Sequence, residues 1–138
     1  MVDSLHFEDI SRVNELGSIL NSKFEKLFHI DSLNNNEKIY VYKEDNKVYG
    51  FIHISINYEV VDLLNIVVDK AKRKQNIATL LMDYMIGDLP KTVIRILLEV
   101  DENNVEALKL YNKFNFQVIS ERNNYYGSNN AYVMEKRL

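Results

Sequence analysis

The sequence predicts an α/β fold: a mixed sheet, antiparallel at its front, with strand-helix-strand crossovers in its middle and helices packed against it. Three observations predict it. Along 138 residues the apolar pattern switches between the helical period of about 3.6 and the strand period of 2, in the order α, α, β, β, β, α, β, α, β, β. Two helical stretches are framed by strand-like runs, which is the arrangement of crossover connections. Four Gly and one Pro, with no repeat or low-complexity tract, leave no linker, so residues 1–138 read as a single domain.

From Phe7 the apolar residues Ile10, Val13, Leu16 and Leu20 recur at helical spacing, and a short helical stretch follows around Phe24 and Leu27. Residues 38–42 alternate Ile39 and Val41 with tyrosines, Asp45-Asn46 is a turn signal, and residues 48–56 form the returning strand of a hairpin. The apolar run Val60–Val68 is a third strand. Its charged end opens a helix in which Ile77, Leu80, Leu81, Tyr84 and Met85 make the inward face. Beyond Pro90, residues 93–100 have the content of a buried strand. The next helix carries Ala107, Leu108, Tyr111 and Phe114 on one face, and Asn103-Asn104 before it are good N-cap groups. Two last strands, about residues 117–122 and 131–136, flank an Asn- and Tyr-rich loop.

Composition removes several classes of function. The chain has no cysteine, which excludes disulfides, thiolate metal sites and a cysteine nucleophile. A net charge of −3 argues against an electrostatic clamp on nucleic acid and suits a basic peptide as partner. No apolar run approaches the roughly 18 residues of a membrane span, and the N-terminus lacks a charged-then-apolar leader. A soluble, cytoplasmic protein without membrane or nucleic-acid partners is expected. His6, His29 and His53 share no metal-ligand spacing, so no metal is expected, and His53 reads as a half-buried strand residue.

The most informative segment is residues 65–80, where a tight basic turn runs directly into a helix N-terminus. Amides there lack intrahelical acceptors and the helix dipole is positive, which makes a pyrophosphate a natural ligand. Lys72, Arg73 and Lys74 add positive charge, and the small Ala78 lets a ligand approach the backbone. The other reading of the same residues is a solvated loop, since helix N-termini ordinarily prefer acids.

This segment resembles the acyl-CoA signature of the GNAT N-acetyltransferase superfamily, R/Q-x-x-G-x-G/A, with Arg73 and Ala78 in register. Within it, the chain is similar to the ribosomal-protein alanine N-acetyltransferases (RimI), whose strand reads close to L-x-N-I-A-V-D-P. Leu64, Asn65, Ile66, Val68 and Asp69 fit that pattern. Downstream, Leu98-Glu99-Val100, Asn104, Ala107, Leu110-Tyr111 and Phe116 resemble L-E-V-R-x-S-N-x-x-A-x-x-L-Y-x-x-x-G-F. Arg122, Asn124, Tyr125 and Tyr126 resemble R-x-N-Y-Y. The departures are Asn76 and Asn115 at glycine positions, Lys70 for Pro and Asp101 for Arg. Asn is the non-Gly residue that best tolerates positive φ, so the turn at Asn76 is expected to form.

The resemblance implies a three-layer sandwich with a mixed, mostly antiparallel sheet of six or seven strands and helices on both faces. It implies acetyl transfer from acetyl-CoA to a protein N-terminal α-amine, with no metal. Such an amine has an ordinary pKa of about 7.7 to 8.0, against about 10.4 for lysine, so a modest base suffices. By resemblance Glu99 is that base and Tyr111 the acid, although the residues alone also allow a strand-end carboxylate and a core tyrosine. Arg73, Lys74, Gln75, Asn76, Ile77, Ala78 and Thr79 would hold the pyrophosphate. The backbones of Ile66, Val67 and Val68 would serve the pantetheine arm and the oxyanion if their strand splays from its neighbour. Asn104 reads as an N-cap and, by resemblance, as a pantetheine contact. Tyr125 and Tyr126 read as acceptor-groove residues or as a self-packed surface element. Asp62 and Glu59 are alternative bases or solvated strand-entry charges. The implied partner is a basic protein or peptide N-terminus, a ribosomal protein among them, and the chain is expected as a monomer or weak dimer. The rival functions are a GNAT acting on lysine or a small amine, and a non-catalytic acyl-CoA- or partner-binding module.

Overall fold

The computed structural model describes residues 1–126 and 129–138, those of 124–126 through their backbone. Its elements are β1 (Val2–Ser4), α1 (Ile10–Leu20), α2 (Phe24–Phe28), β2 (Glu37–Glu44), β3 (Lys47–Asn57), β4 (Val60–Val68), α3 (Ile77–Asp88), β5 (Arg95–Asp101), α4 (Val105–Lys113), β6 (Gln117–Tyr126) and β7 (Asn129–Arg137). The seven strands form one mixed sheet in the order β1-β2-β3-β4-β5-β7-β6. The chain divides into two compact units, Met1–Ser55 with Leu64–Leu89, and Ile56–Leu63 with Pro90–Leu138. Among the described residues no helix is long and apolar enough to cross a membrane.

In the first unit β2 and β3 form the expected hairpin. Asp45 and Asn46 turn it with φ of 52° and 65°, a pair of left-handed residues matching the natural twist of the strands. β1, which the sequence reading did not contain, pairs with β2 through Val2↔Tyr42 and Ser4↔Tyr40. Three residues are too few to display a period. Val13 and Leu16 of α1 and Phe24 of α2 bury against Ile39, Val41, Val48 and Phe51. The Phe24 and Phe51 rings meet edge-on at 5.7 Å.

Helix α3 turns a different face inward from the one expected. Ile77, Leu81, Met82 and Met85 are buried, while Leu80 and Tyr84 remain 45% and 47% exposed. The helix is apolar nearly all round, so periodicity could not choose its face. Gly50 of β3 is what lets α3 come so close: a Cβ there would stand 3.1 Å from the Val67 carbonyl oxygen and 3.2 Å from the Ile77 side chain.

In the second unit β4 and β5 pair in parallel at Val60↔Arg95, Val61↔Ile96 and Asp62↔Leu97. β7 inserts antiparallel beside β5, from Arg95↔Arg137 to Asp101↔Ala131, and β6 pairs antiparallel with β7. The expected Asn- and Tyr-rich loop is mostly strand, since β6 runs on to Tyr126 and β7 begins at Asn129. Ladder hydrogen bonding overrides the weak strand preference of asparagine there.

His53 is fully buried, not half-buried as expected. The Asn65 side-chain amide lies 3.2 Å from its Nδ1 and can only donate, so Nε2–H donates to Glu37 Oε1 at 2.9 Å. The Phe28 ring stands edge-on at 5.7 Å. Burial holds the imidazole below its ordinary value, outweighing the opposite pull of Glu37. Below about pH 6.5 the unfolded chain therefore takes up a proton that the folded chain refuses. Stability present above that pH is lost as the pH falls toward the lower native value. In denaturant unfolding between pH 7.5 and 5.5, the unsubstituted protein should lose up to about 1.4 kcal/mol per pH unit more than His53→Asn. Equal slopes would contradict the neutral, buried assignment.

Candidate active site

The β4–α3 junction is built from one capped turn followed by an unsupported stretch. Asp69 ends the strand, and its carboxylate accepts from the Ala71 amide at 2.9 Å, closing a 3-10 turn over Lys70–Lys72. Its own amide donates to the Tyr49 carbonyl at 2.8 Å. That amide contact first, and then Arg12, holds the Asp69 carboxyl below its usual range.

Beyond the turn, Lys74 and Asn76 take left-handed backbone, with φ of 69° and 60°. In the first turn of α3 the Leu80 amide donates to Asn76 O at 3.0 Å. Among the described residues the amides of Lys74, Gln75, Asn76, Ile77 and Ala78 donate to no acceptor, and Asn76 makes no side-chain cap. Left-handed residues interrupting a turn aim successive N–H groups into one concavity, which binds anions, and the positive end of α3 adds to it. Arg73 and Lys74 are exposed and have no ion-pair partner among the described residues. Lys72 does not join them as expected. Its Nζ lies 3.4 Å from Glu44 and 4.9 Å from the Tyr49 ring centre, turned back onto the β2–β3 hairpin. The β4–β5 ladder pairs Val60, Val61 and Asp62 with Arg95, Ile96 and Leu97.

Glu99 lies in β5 opposite Val133 of β7. Strand alternation puts it on the face opposite the buried Leu98 and Val100. Its Oε1 pairs with the Arg122 guanidinium at 3.2 Å. Its Oε2 is buried and has no hydrogen-bond partner among the described residues, a costly state for a carboxylate oxygen. The arrangement leaves one acceptor ready for an N–H or water proton. The reach of Arg122 across β7 was not foreseen.

Tyr111 is 5% exposed, and the end of α4 explains its placement. Asn115 has φ of 66°; its amide donates to Asn112 O, and the Phe116 amide donates to Tyr111 O, both at 3.0 Å. This is a Schellman ending, with its customary hydrophobic contact made by Phe116 on Tyr111 at 5.6 Å between ring centres. Asn104 caps the other end of α4 by accepting from the Ala107 amide at 3.2 Å, as expected. Asp101, at the position where the resemblance has arginine, accepts from the Asn103 amide at 2.8 Å and so shapes the turn into α4.

Of the alternative bases, Glu59 is exposed at a hairpin and Asp62 accepts from Asn57 at 3.3 Å. The register puts Asp62 opposite Leu97, two residues before Glu99. The side chains of Tyr125 and Tyr126 lie outside the described residues. Among the described residues no group of three or more His, Asp or Glu could hold a metal ion.

The acetyltransferase (GNAT) family model matches residues 7–116. A [ribosomal protein bS18]-alanine N-acetyltransferase of Haemophilus ducreyi is 30% identical over 125 residues, covering 79% of this chain and 86% of that protein. The crystal structure of the ribosomal-protein-S18-alanine N-acetyltransferase from Escherichia coli aligns with a TM-score of 0.88 at 23% identity, over 99% of this chain and 92% of that one. A GNAT family acetyltransferase from Elizabethkingia anophelis with acetyl-CoA bound aligns at 0.80 and 18% identity, over 100% and 97%. The two solved structures carry the fold.

The left-handed backbone at Asn76 sets an order of tolerance. Replacing Asn76 with Ala should lower unfolding stability by about 1 kcal/mol relative to Asn76→Gly, because a Cβ without a locally bonding side chain is disfavoured there. Equal stabilities of the two variants in urea unfolding would contradict the left-handed assignment.

Proposed function

The chain belongs to the acetyltransferase (GNAT) family, and on that premise we propose that it transfers the acetyl group of acetyl-CoA to the N-terminal α-amine of a basic protein, in the manner of the ribosomal alanine enzymes. The observation that carries the reading is the cradle of amides opened by Lys74 and Asn76 at the start of α3. Acetyl-CoA fits the donor set there: a diphosphate meets free amides, a helix N-terminus and the cations of Arg73 and Lys74. When bound it supplies an acetyl group already activated as a thioester. In this reading residues 1–138 work as one acetyltransferase domain in the cytoplasm, and the run of the family model through both units supports the first part.

The chain's own residues then have distinct tasks. Gln75 to Thr79 and the two cations hold the diphosphate, while Ile66, Val67, Val68 and Asn104 face the pantetheine arm. Glu99 Oε2 takes a proton from the bound ammonium, directly or through a water, so that the neutral amine attacks, while Arg122 keeps Oε1. The Tyr111 hydroxyl gives a proton to the departing sulfur. Tyr125 and Tyr126 border the acceptor. That a relative is a [ribosomal protein bS18]-alanine N-acetyltransferase supports the acceptor class.

Thiol release from acetyl-CoA, measured with an Ala-initiated basic peptide, tests this. Turnover should require the free terminus and persist when lysines are absent. Glu99→Gln and Tyr111→Phe should each lower turnover by about 10²- to 10⁴-fold with CoA binding retained. Acetylation of a lysine in an N-terminally blocked peptide would contradict the acceptor assignment, and full turnover in either variant would remove that residue from the chemistry.

A further inference from the structure

Arg12 lies in the first turn of α1, far in sequence from the diphosphate loop, yet each of its three guanidinium nitrogens makes a hydrogen bond. Nε donates to the Val48 carbonyl of β3 at 2.9 Å, one terminal nitrogen donates to Glu15 at 3.0 Å, and the other pairs with Asp69. The Arg12 and Asp69 side chains are only 17% and 22% exposed. The cation is thus committed to acceptors of its own chain.

Asp69 in turn is the hinge of the loop. One carboxylate oxygen holds the Ala71 amide, the other holds Arg12, its amide holds Tyr49 O, and its carbonyl accepts from the Lys72 amide at 2.9 Å. Past this point the chain has little to hold it. Among the described residues from Arg73 to Asn76, the one backbone amide that finds an acceptor is that of Arg73, to Lys70 O at 3.4 Å, and two residues are left-handed. A segment so poor in bonds keeps its shape through its ends. One end is Ile77, buried in the core, and the other is Asp69.

We propose that Arg12 is a positioning residue for acyl-CoA binding: through its ion pair with Asp69 it holds the Lys70–Ala78 loop in the shape that receives the diphosphate, without touching it. The inference rests on the proposed function. The planar fork of arginine is required because three acceptors on three segments are bonded at once, which a lysine ammonium on a flexible stem does less well. Loss of the tether makes binding bear the cost of ordering the loop, so affinity for the diphosphate-bearing donor falls while chemistry on bound donor stays the same.

The test compares acetyl-CoA with acetyl-pantetheine, a thioester donor that lacks the diphosphate. Arg12→Gln should weaken CoA binding in calorimetric titration on the order of tenfold and raise the KM for acetyl-CoA in step. Its kcat at saturating acetyl-CoA and its kcat/KM with acetyl-pantetheine should stay within about twofold. Arg12→Lys should restore part of the affinity, and hydrogen exchange at the bonded amides of Ala71 and Lys72 should speed up in Arg12→Gln. Asp69→Asn serves should Arg12→Gln fail to fold: its amide oxygen can still accept from Ala71, while the charge facing Arg12 is gone, and the same affinity loss is expected. Unchanged CoA affinity in the variant that folds, or an equal fall with both donors, would overturn the inference. If the unsubstituted protein binds no CoA, the proposed function fails with it; if it binds and Arg12→Gln binds equally well, only the role of Arg12 fails.

Discussion

A strand that must become a helix within eight residues while leaving its amides unsatisfied is the constraint on which the rest of this molecule depends. Hydrogen bonding normally consumes such groups, and a compact turn with ordinary right-handed residues would point them into its own carbonyls. Left-handed backbone at Lys74 and Asn76 turns them outward instead. The cost of that conformation is met nearby. Gly50 allows Val67 and Ile77 to approach β3, the core holds Ile77, and Asp69 binds the start of the turn from four directions. A loop with free donors is bracketed by anchors that have none to spare.

The same solution recurs at the end of α4. Asn115 takes the left-handed position of the helix ending, and the two hydrogen bonds of that motif run to Asn112 and to Tyr111 itself. Tyr111 is thus part of the cap, and Phe116 packs on its ring as the motif requires. At both glycine positions where this chain carries asparagine, the backbone keeps the geometry glycine would adopt freely. The asparagines change the energy of the turns and leave their shape intact.

Much of this was legible in the sequence, and the exceptions have physical causes. Alternation with a turn signal marked the β2–β3 hairpin, and a continuous apolar run marked the whole of β4. Such patterns failed for β1, which is too short to show a period, and for the ends of β6 and β7, where asparagine and tyrosine resemble a loop until a neighbouring strand supplies hydrogen bonds. The inward face of α3 was misjudged because that helix is apolar on most sides. Among the site residues, the Asn104 cap and the turn at Asn76 follow from local side-chain chemistry. Arg12 meeting Asp69 across 57 positions, Arg122 reaching Glu99, and Lys72 folding back onto Glu44 depend on strand order, and no local pattern encodes them.

The most direct measurement is a backbone amide NMR titration of the isotopically labelled protein with CoA, and in parallel with pantetheine. With CoA, the amides of residues 74–79 should show the largest shifts and slowed exchange, and with pantetheine those amides should stay near their free positions. Saturable CoA binding that leaves the 74–79 amides unmoved, or shifts them equally with pantetheine, would contradict the claim that this turn grips the diphosphate.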